Sequence, residues 1–349
     1  MAEKKRDTYV DVLRGIAMLI VVFGHTLTGS TDHSEKSIIF NIIWSLQIPL
    51  FILISGYVTR YGRTPCSLKG LFSLLGKRTL AYLLPWLVFT VVLNGLILKK
   101  QELSLGALFW NMDSGYWFLI TIWSVNIAYV IASFATKKIC LGKKFSPLVL
   151  LAFYLCFMAV YALIGSFAGF SFLCIKLTLY YMPFYFVGYL FGIYKDTVLD
   201  RFPRLIQIVV ALCTVIWVVA IIRLNLYYLE DSVPMVALRA MVSLCGCVSV
   251  CGLLRAVSPS GALYRFLKWI GSHTIEIYIL HSYFLNLIMF GVKPEYLSAR
   301  GAVLIAVNYL LTVGIISVIT KLLDYNFYLS FVLFGKLPKN RLLRPKREE

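Results

Sequence analysis

Acidic side chains are scarce in this chain. Sixteen Asp and Glu stand against 34 Lys and Arg in 349 residues, and charged residues of both signs make up only 14%. So little charge excludes a soluble globular protein, and 60% hydrophobic residues with a mean hydropathy of +0.82 describe a polytopic membrane protein. Histidine is rarer, at four, and the eight cysteines form no CxxC pair. No His stands at ligand spacing and the cysteines lie mostly inside apolar segments, so neither a zinc site nor a disulfide framework is indicated, and no metal is expected. The net charge of +18 is not gathered into one patch but falls in short clusters between apolar runs, which excludes a nucleic-acid platform and reads as topology. No linker or soluble domain interrupts the apolar runs. One integral-membrane domain over residues 1–349 is expected, with a basic tail at 336–349. No small-x-small cleavage site follows Lys4-Lys5-Arg6, so the first apolar run reads as a retained helix.

What is present is a series of ten apolar segments, each near the twenty or so residues that a bilayer requires. They run approximately over Val10 to Thr28, Ile38 to Val58, Thr79 to Leu98, Tyr116 to Phe134, Leu148 to Ile164, Leu177 to Tyr194, Leu205 to Ile222, Val233 to Leu254, Trp269 to Phe290 and Ala302 to Thr320. Lys and Arg accumulate in alternate connections, as at Arg60, Arg63, Lys77 and Arg78, then Lys137, Lys138, Lys143 and Lys144. The intervening connections carry few: Lys36, Lys99, Lys100, Lys176, Arg223, Lys293 and Arg300. Because basic loops stay cytoplasmic, both termini are expected inside. The fold class predicted is therefore an all-α polytopic membrane protein of about ten transmembrane helices with cytoplasmic N- and C-termini. Leu322 to Gly335 is expected to lie along the interface or to extend the tenth helix.

The first segment carries three ionisable residues where almost everything else is aliphatic. Asp11, Arg14 and His25 cost free energy there unless they face a partner or a wet cavity, so a functional reading is the default. Arg14 and His25, eleven residues apart, share one helical stripe about 16 Å long. Asp11, three before Arg14, is placed to orient the guanidinium. A snorkelling Arg14 and an interfacial His25 form the blander alternative.

Five motifs in register resemble the acyltransferase-3 family of membrane O-acyltransferases. They are Asp11-x-x-Arg14-Gly15 with His25; Ile48-Pro49-Leu50 through Ser55-Gly56-Tyr57; Lys77-Arg78 ahead of Leu84-Pro85-Trp86; Tyr116-Trp117-Phe118-Leu119 followed by Met182-Pro183-Phe184; and Ile270-Gly271-Ser272-His273 through Glu276 to His281. The likeness covers nearly the whole chain and is nearest in flavour to the sugar O-acetylase branch that includes fucose 4-O-acetylase-like proteins. It implies a plasma (inner) membrane enzyme that moves an acyl group, most simply acetyl, from cytoplasmic acetyl-CoA to a hydroxyl of a sugar in a surface polysaccharide or lipid-linked glycan. The family's Arg and His of the first span map onto Arg14 and His25. Two departures stand out: Gln47 occupies a position where relatives read His, and Ala81 and Tyr82 leave the family's second Arg without a counterpart after Arg78.

Acyl transfer needs a base for the acceptor, a stabilised oxyanion and cations for the CoA phosphates. On that reading His25 is the base, with Arg14 and Asp11 beside it as the catalytic set. Arg14, Lys77 and Arg78 bind the acyl-CoA co-substrate. His281, expected at the depth of His25, orients the acceptor, with Gln47, Glu276 and Ser55 as further acceptor contacts; a core histidine bonded to a neighbouring helix is the alternative for His281. Pro49 and Gly56 suggest a helix kinked around a ligand. Asp113 reads as a solvated loop acid, and His33 has no assigned role. A transporter of a polar lipid or sugar is the competing function, but such folds carry internal repeats, and the sixth span has no counterpart of the Arg14 and His25 pair.

Overall fold

The computed structural model describes residues 7–100, 102–110, 115–139, 146–229, 231–255, 261–289 and 291–336, so Asp113 and the basic tail beyond Lys336 lie outside the described residues. Thirteen α-helices account for the architecture: α1 (Thr8–Ser30), α2 (Ile38–Val58), α3 (Leu68–Trp86), α4 (Leu105–Trp110), α5 (Trp117–Ile139), α6 (Ser146–Ala168), α7 (Ile175–Arg201), α8 (Pro203–Arg223), α9 (Val233–Arg255), α10 (Gly261–Ser272), α11 (Thr274–Phe284), α12 (Ala299–Asp324) and α13 (Phe327–Phe334). There is no β-strand among the described residues. In a bilayer every backbone polar group must be satisfied within its own segment, and the helix does this.

Among the described residues, nine helices are long and apolar enough to cross a membrane. They match nine of the ten expected segments. The exception is Trp269 to Phe290, which is not one helix: it breaks at His273 (φ −122, ψ 31) into α10 and α11, and α11 stops at Phe284. Leu322 to Gly335 is not a plain extension of the tenth helix. The chain leaves α12 at Asp324 and restarts as the separate helix α13, whose first turn is capped by Asn326 accepting from the Leu329 N–H at 3.1 Å. Pro49 does not interrupt α2, which runs unbroken through it.

The helices sort into two compact units. The first takes residues up to Arg63 and Tyr180–Thr320, and holds α1, α2, most of α7, α8 to α11 and most of α12. Its centre is α1, whose membrane window is 67% buried, the highest share of the nine; α8, at 11%, leaves Leu205, Ile208, Leu212, Val215 and Ile216 exposed. Helix α1 packs against α2, α10 and α11. The α1–α10 crossing is a backbone contact: a Cβ on Gly15 would collide with the Leu267 carbonyl, and one on Gly271 with the Asp11 carbonyl. Small residues permit such approach where hydrophobicity cannot drive helices together. Gly56 and Gly188 do the same between α2 and α7.

The second unit takes Thr64–Leu179 and the segment from Lys321, with α3 packed on α5, α5 on α6, and α13 on α3. Pro85 lacks an N–H, which frees the Ala81 carbonyl one turn earlier. Downstream the helix winds in the wider π form from Leu87 to Ile97, closing with Leu98 N–H to Leu93 O at 2.8 Å. Gly335, at φ 62, caps α13 against the Leu80 and Ala81 backbone.

Candidate active site

The site is built on α1. Asp11 is buried at 2% exposure, Arg14 is half-buried and His25 is exposed. Within this most enclosed of the spans the His25 side chain is exposed where its neighbours Gly24 and Thr26 are buried.

His281 comes to it from the far end of the chain. The two ring centroids stand 5.1 Å apart, with the planes inclined at 44°. Three features put His281 there. The glycine-to-backbone crossing fixes α10 on α1, the break at His273 redirects the chain, and α11 then packs along α1 toward its C-terminal half. His281 is buried, and its Nδ1 lies in a short contact with the Tyr278 carbonyl oxygen. A carbonyl only accepts, so the Nδ1 that faces it carries a proton. Tyr278 also touches the ring, centroid to centroid 5.7 Å.

The segment after α11 is irregular backbone next to membrane-spanning helices, and α12 satisfies it. Asn308 accepts from the Ile288 N–H at 2.9 Å and donates to the Ile288 carbonyl at 3.0 Å and to Ser30 Oγ at 3.1 Å. Ser30 donates to Asn286 Oδ1 at 2.7 Å, and Thr312 donates to the Phe284 carbonyl at 2.7 Å. This network ties the C-terminal end of α1 to the end of α11, and so holds the two histidine-bearing helices together. His33, without a role from sequence, meets Glu295 at 3.0 Å in the same region.

The other expected site residues fall in different places. Gln47 is half-buried, and its Oε1 lies 3.5 Å from where a Cβ on Gly24 would stand, so the amide reaches the turn of α1 that carries His25. Glu276 is buried at 3% exposure in the first turn of α11, where the helix dipole favours a carboxylate. Ser55 lies eight residues beyond Gln47, about 12 Å further along α2. Its hydroxyl donates to the Phe51 carbonyl at 2.8 Å, which leaves it only acceptor capacity. Lys77, exposed, and Arg78, half-buried, belong to α3 in the second unit.

Sequence reasoning missed two polar clusters of the first unit. At the N-terminal end of α1, Asp7 accepts from Tyr61 Oη at 2.8 Å and Tyr57 Oη at 3.3 Å and faces Lys195 Nζ at 3.7 Å; Arg60 pairs with Asp196 at 2.6 Å. In α9, Arg239 is buried, donates to the Leu229 carbonyl at 2.6 Å and pairs with Asp231 at 3.2 Å. The intramembrane Arg239 was itself a legible signal, since a charge there needs a partner; its partners were not.

The nodulation protein NolL of Sinorhizobium fredii and that of Mesorhizobium japonicum are each 27% identical over 198 residues, which takes in 54% of this chain and 49% and 48% of theirs. The chain spans about half the length of the curated relatives it matches. No solved structure matches. A family model described as an acyltransferase domain matches residues 7–322, from the residue that caps α1 to the last turn of α12, and on that match the chain belongs to the acyltransferase-3 family.

Proposed function

We propose that this protein is a membrane O-acyltransferase that moves an acetyl group from cytoplasmic acetyl-CoA to a hydroxyl of a sugar in a surface polysaccharide or lipid-linked glycan, at the plasma membrane. The observation that carries the reading is the contact between an exposed His25 and a buried His281 at 5.1 Å, on a helix that also bears Arg14. The family match over residues 7–322 supports treating both units as parts of one acyltransferase.

In the reaction the acceptor oxygen attacks the thioester carbonyl. The new C–O bond forms, the C–S bond breaks, and the hydroxyl proton must pass to a base and then to the departing thiolate. His25 takes the role of that base, because an exposed imidazole can reach an incoming hydroxyl. His281 takes the role of positioning it. With Nδ1–H committed to the Tyr278 carbonyl, the His281 ring is held beside the His25 imidazole, centroids 5.1 Å apart, and limits its rotation. Gln47 replaces an exchangeable imidazole by a neutral amide, which suits hydrogen bonding to an acceptor hydroxyl rather than proton transfer. Arg14, about 16 Å below His25 along α1, suits a phosphate or the amide arm of CoA, with Lys77 and Arg78 as further cations and Asp11 orienting Arg14. Glu276 and Ser55 remain acceptor contacts in this scheme.

The test is acetyl transfer from radiolabelled acetyl-CoA to membrane glycans, by cells carrying wild-type protein, His25→Ala or no gene. Label that depends on the gene and on His25 supports the proposal. Label transferred unchanged by the His25→Ala protein removes His25 as base, and no gene-dependent label removes the enzymatic reading.

A further inference from the structure

The connection between α8 and α9 is held more firmly than a loop between two lipid-facing helices requires. At its start, Asn41 of α2 donates to the Leu224 carbonyl at 3.1 Å and accepts from the Leu226 N–H at 3.1 Å. At its end, Arg239 grips the Leu229 carbonyl and Asp231. Between the two latches runs a single 3-10 turn, Leu226–Tyr228, whose first residue is wholly buried while Tyr227 and Tyr228 are 46% and 56% exposed. Their rings stand 5.1 Å apart at 89°, so the pair presents two faces at a right angle. Tyr227 is further fixed edge-on against Phe40 at 5.2 Å and Trp44 at 6.5 Å, and the Arg239 guanidinium covers Trp44 at 5.2 Å.

Helix α2 links this platform to the turn of α1 that carries His25. Trp44 and Gln47 are one turn apart on α2, about 4.5 Å along its axis, and the Gln47 amide reaches Gly24 beside His25. Rigid, exposed aromatic faces can stack on ligands whose surface alternates apolar C–H patches with hydroxyls, and a pyranose ring has such a surface. Asp231, 55% exposed on its side chain, offers a carboxylate to hydroxyls at the same place.

We propose that Tyr227 and Tyr228, latched by Asn41 and Arg239, form a glycan-binding platform that holds acceptor residues beyond the one being acylated. This rests on the acyltransferase reading and names the acceptor as an oligosaccharide rather than a free monosaccharide. Aromatic rings at a bilayer interface also serve as lipid anchors, and the test separates the two roles.

Hydroxyl-radical footprinting of the full-length protein in nanodiscs reads the side chains directly and needs no turnover. With maltohexaose, cellohexaose or triacetylchitotriose present, oxidation of Tyr227 and Tyr228 should fall about threefold for at least one sugar, since a stacked ring covers most of an aromatic face, while glucose and N-acetylglucosamine leave it unchanged. Oxidation unaffected by all three oligosaccharides overturns the proposal, as does protection that appears only on moving from detergent to nanodiscs, which marks a lipid anchor. In the transfer assay Tyr228→Ala should raise KM for the protecting oligosaccharide about tenfold relative to KM for its monosaccharide, the loss expected for one stacking contact. An equal change for both overturns it. Protection without any acyl transfer would remove the enzymatic reading and leave the platform standing.

Discussion

His25 and His281 sit near opposite ends of the chain, yet their imidazole centroids are 5.1 Å apart, one ring exposed and the other buried. The asymmetry assigns their roles. In the proposed reaction the exposed ring is the one to meet substrate, and the enclosed one, with Nδ1 against the Tyr278 carbonyl, is the one to hold its orientation.

Replacement of His25 by Ala should lower acyl transfer by about 10²–10⁴-fold, the range for loss of a general base. His281→Ala should lower kcat less than His25→Ala does and should change the shape of the pH–rate profile, the mark of a residue proposed to act through His25. Transfer rates across pH, at equal protein in the membrane, check both.

Gly15→Val and Gly271→Val each drive a side chain into the partner backbone at the α1–α10 crossing. Overpacking of this kind costs about 1–3 kcal/mol. A lower melting temperature in detergent is expected for both, against little change for Gly314→Ala, where a Cβ meets nothing within 4 Å.

Asn308→Leu removes three hydrogen bonds at once and leaves the Ile288 N–H and carbonyl without their α12 partner. Each buried backbone group left unsatisfied costs about 1–3 kcal/mol. Hydrogen exchange should accelerate at Ile288, and activity should fall as α11 loosens. Unchanged exchange would mean that other groups hold the segment.

Cys66 lies in the connection between α2 and α3 with its Sγ 3.0 Å from Lys137 Nζ. That ammonium holds the thiol below the ordinary cysteine range. A lowered value means more thiolate at neutral pH, so alkylation should be faster at Cys66 than at a free thiol, and Lys137→Met should move the pH–rate curve upward. The orientation expected from the basic residues predicts that a membrane-impermeant maleimide labels Cys66 from the cytoplasmic face. Labelling from the opposite face would reverse the orientation.

The sequence by itself determined the membrane class, nine of the long helices and the one-sided placement of Arg14 and His25, because each follows from spacing within a single segment. A bilayer leaves an apolar run of twenty residues few alternatives to a helix, and helical periodicity then fixes which side chains share a face. It did not determine which face meets which partner. The break at His273, the pairing of His25 with His281, the Asn308 network and the latched Tyr227–Tyr228 turn all join residues distant in the chain. Gly15 and Gly271 were visible as small residues, but only the tertiary structure made them one crossing, since close approach of two backbones is a property of the pair and of neither helix alone.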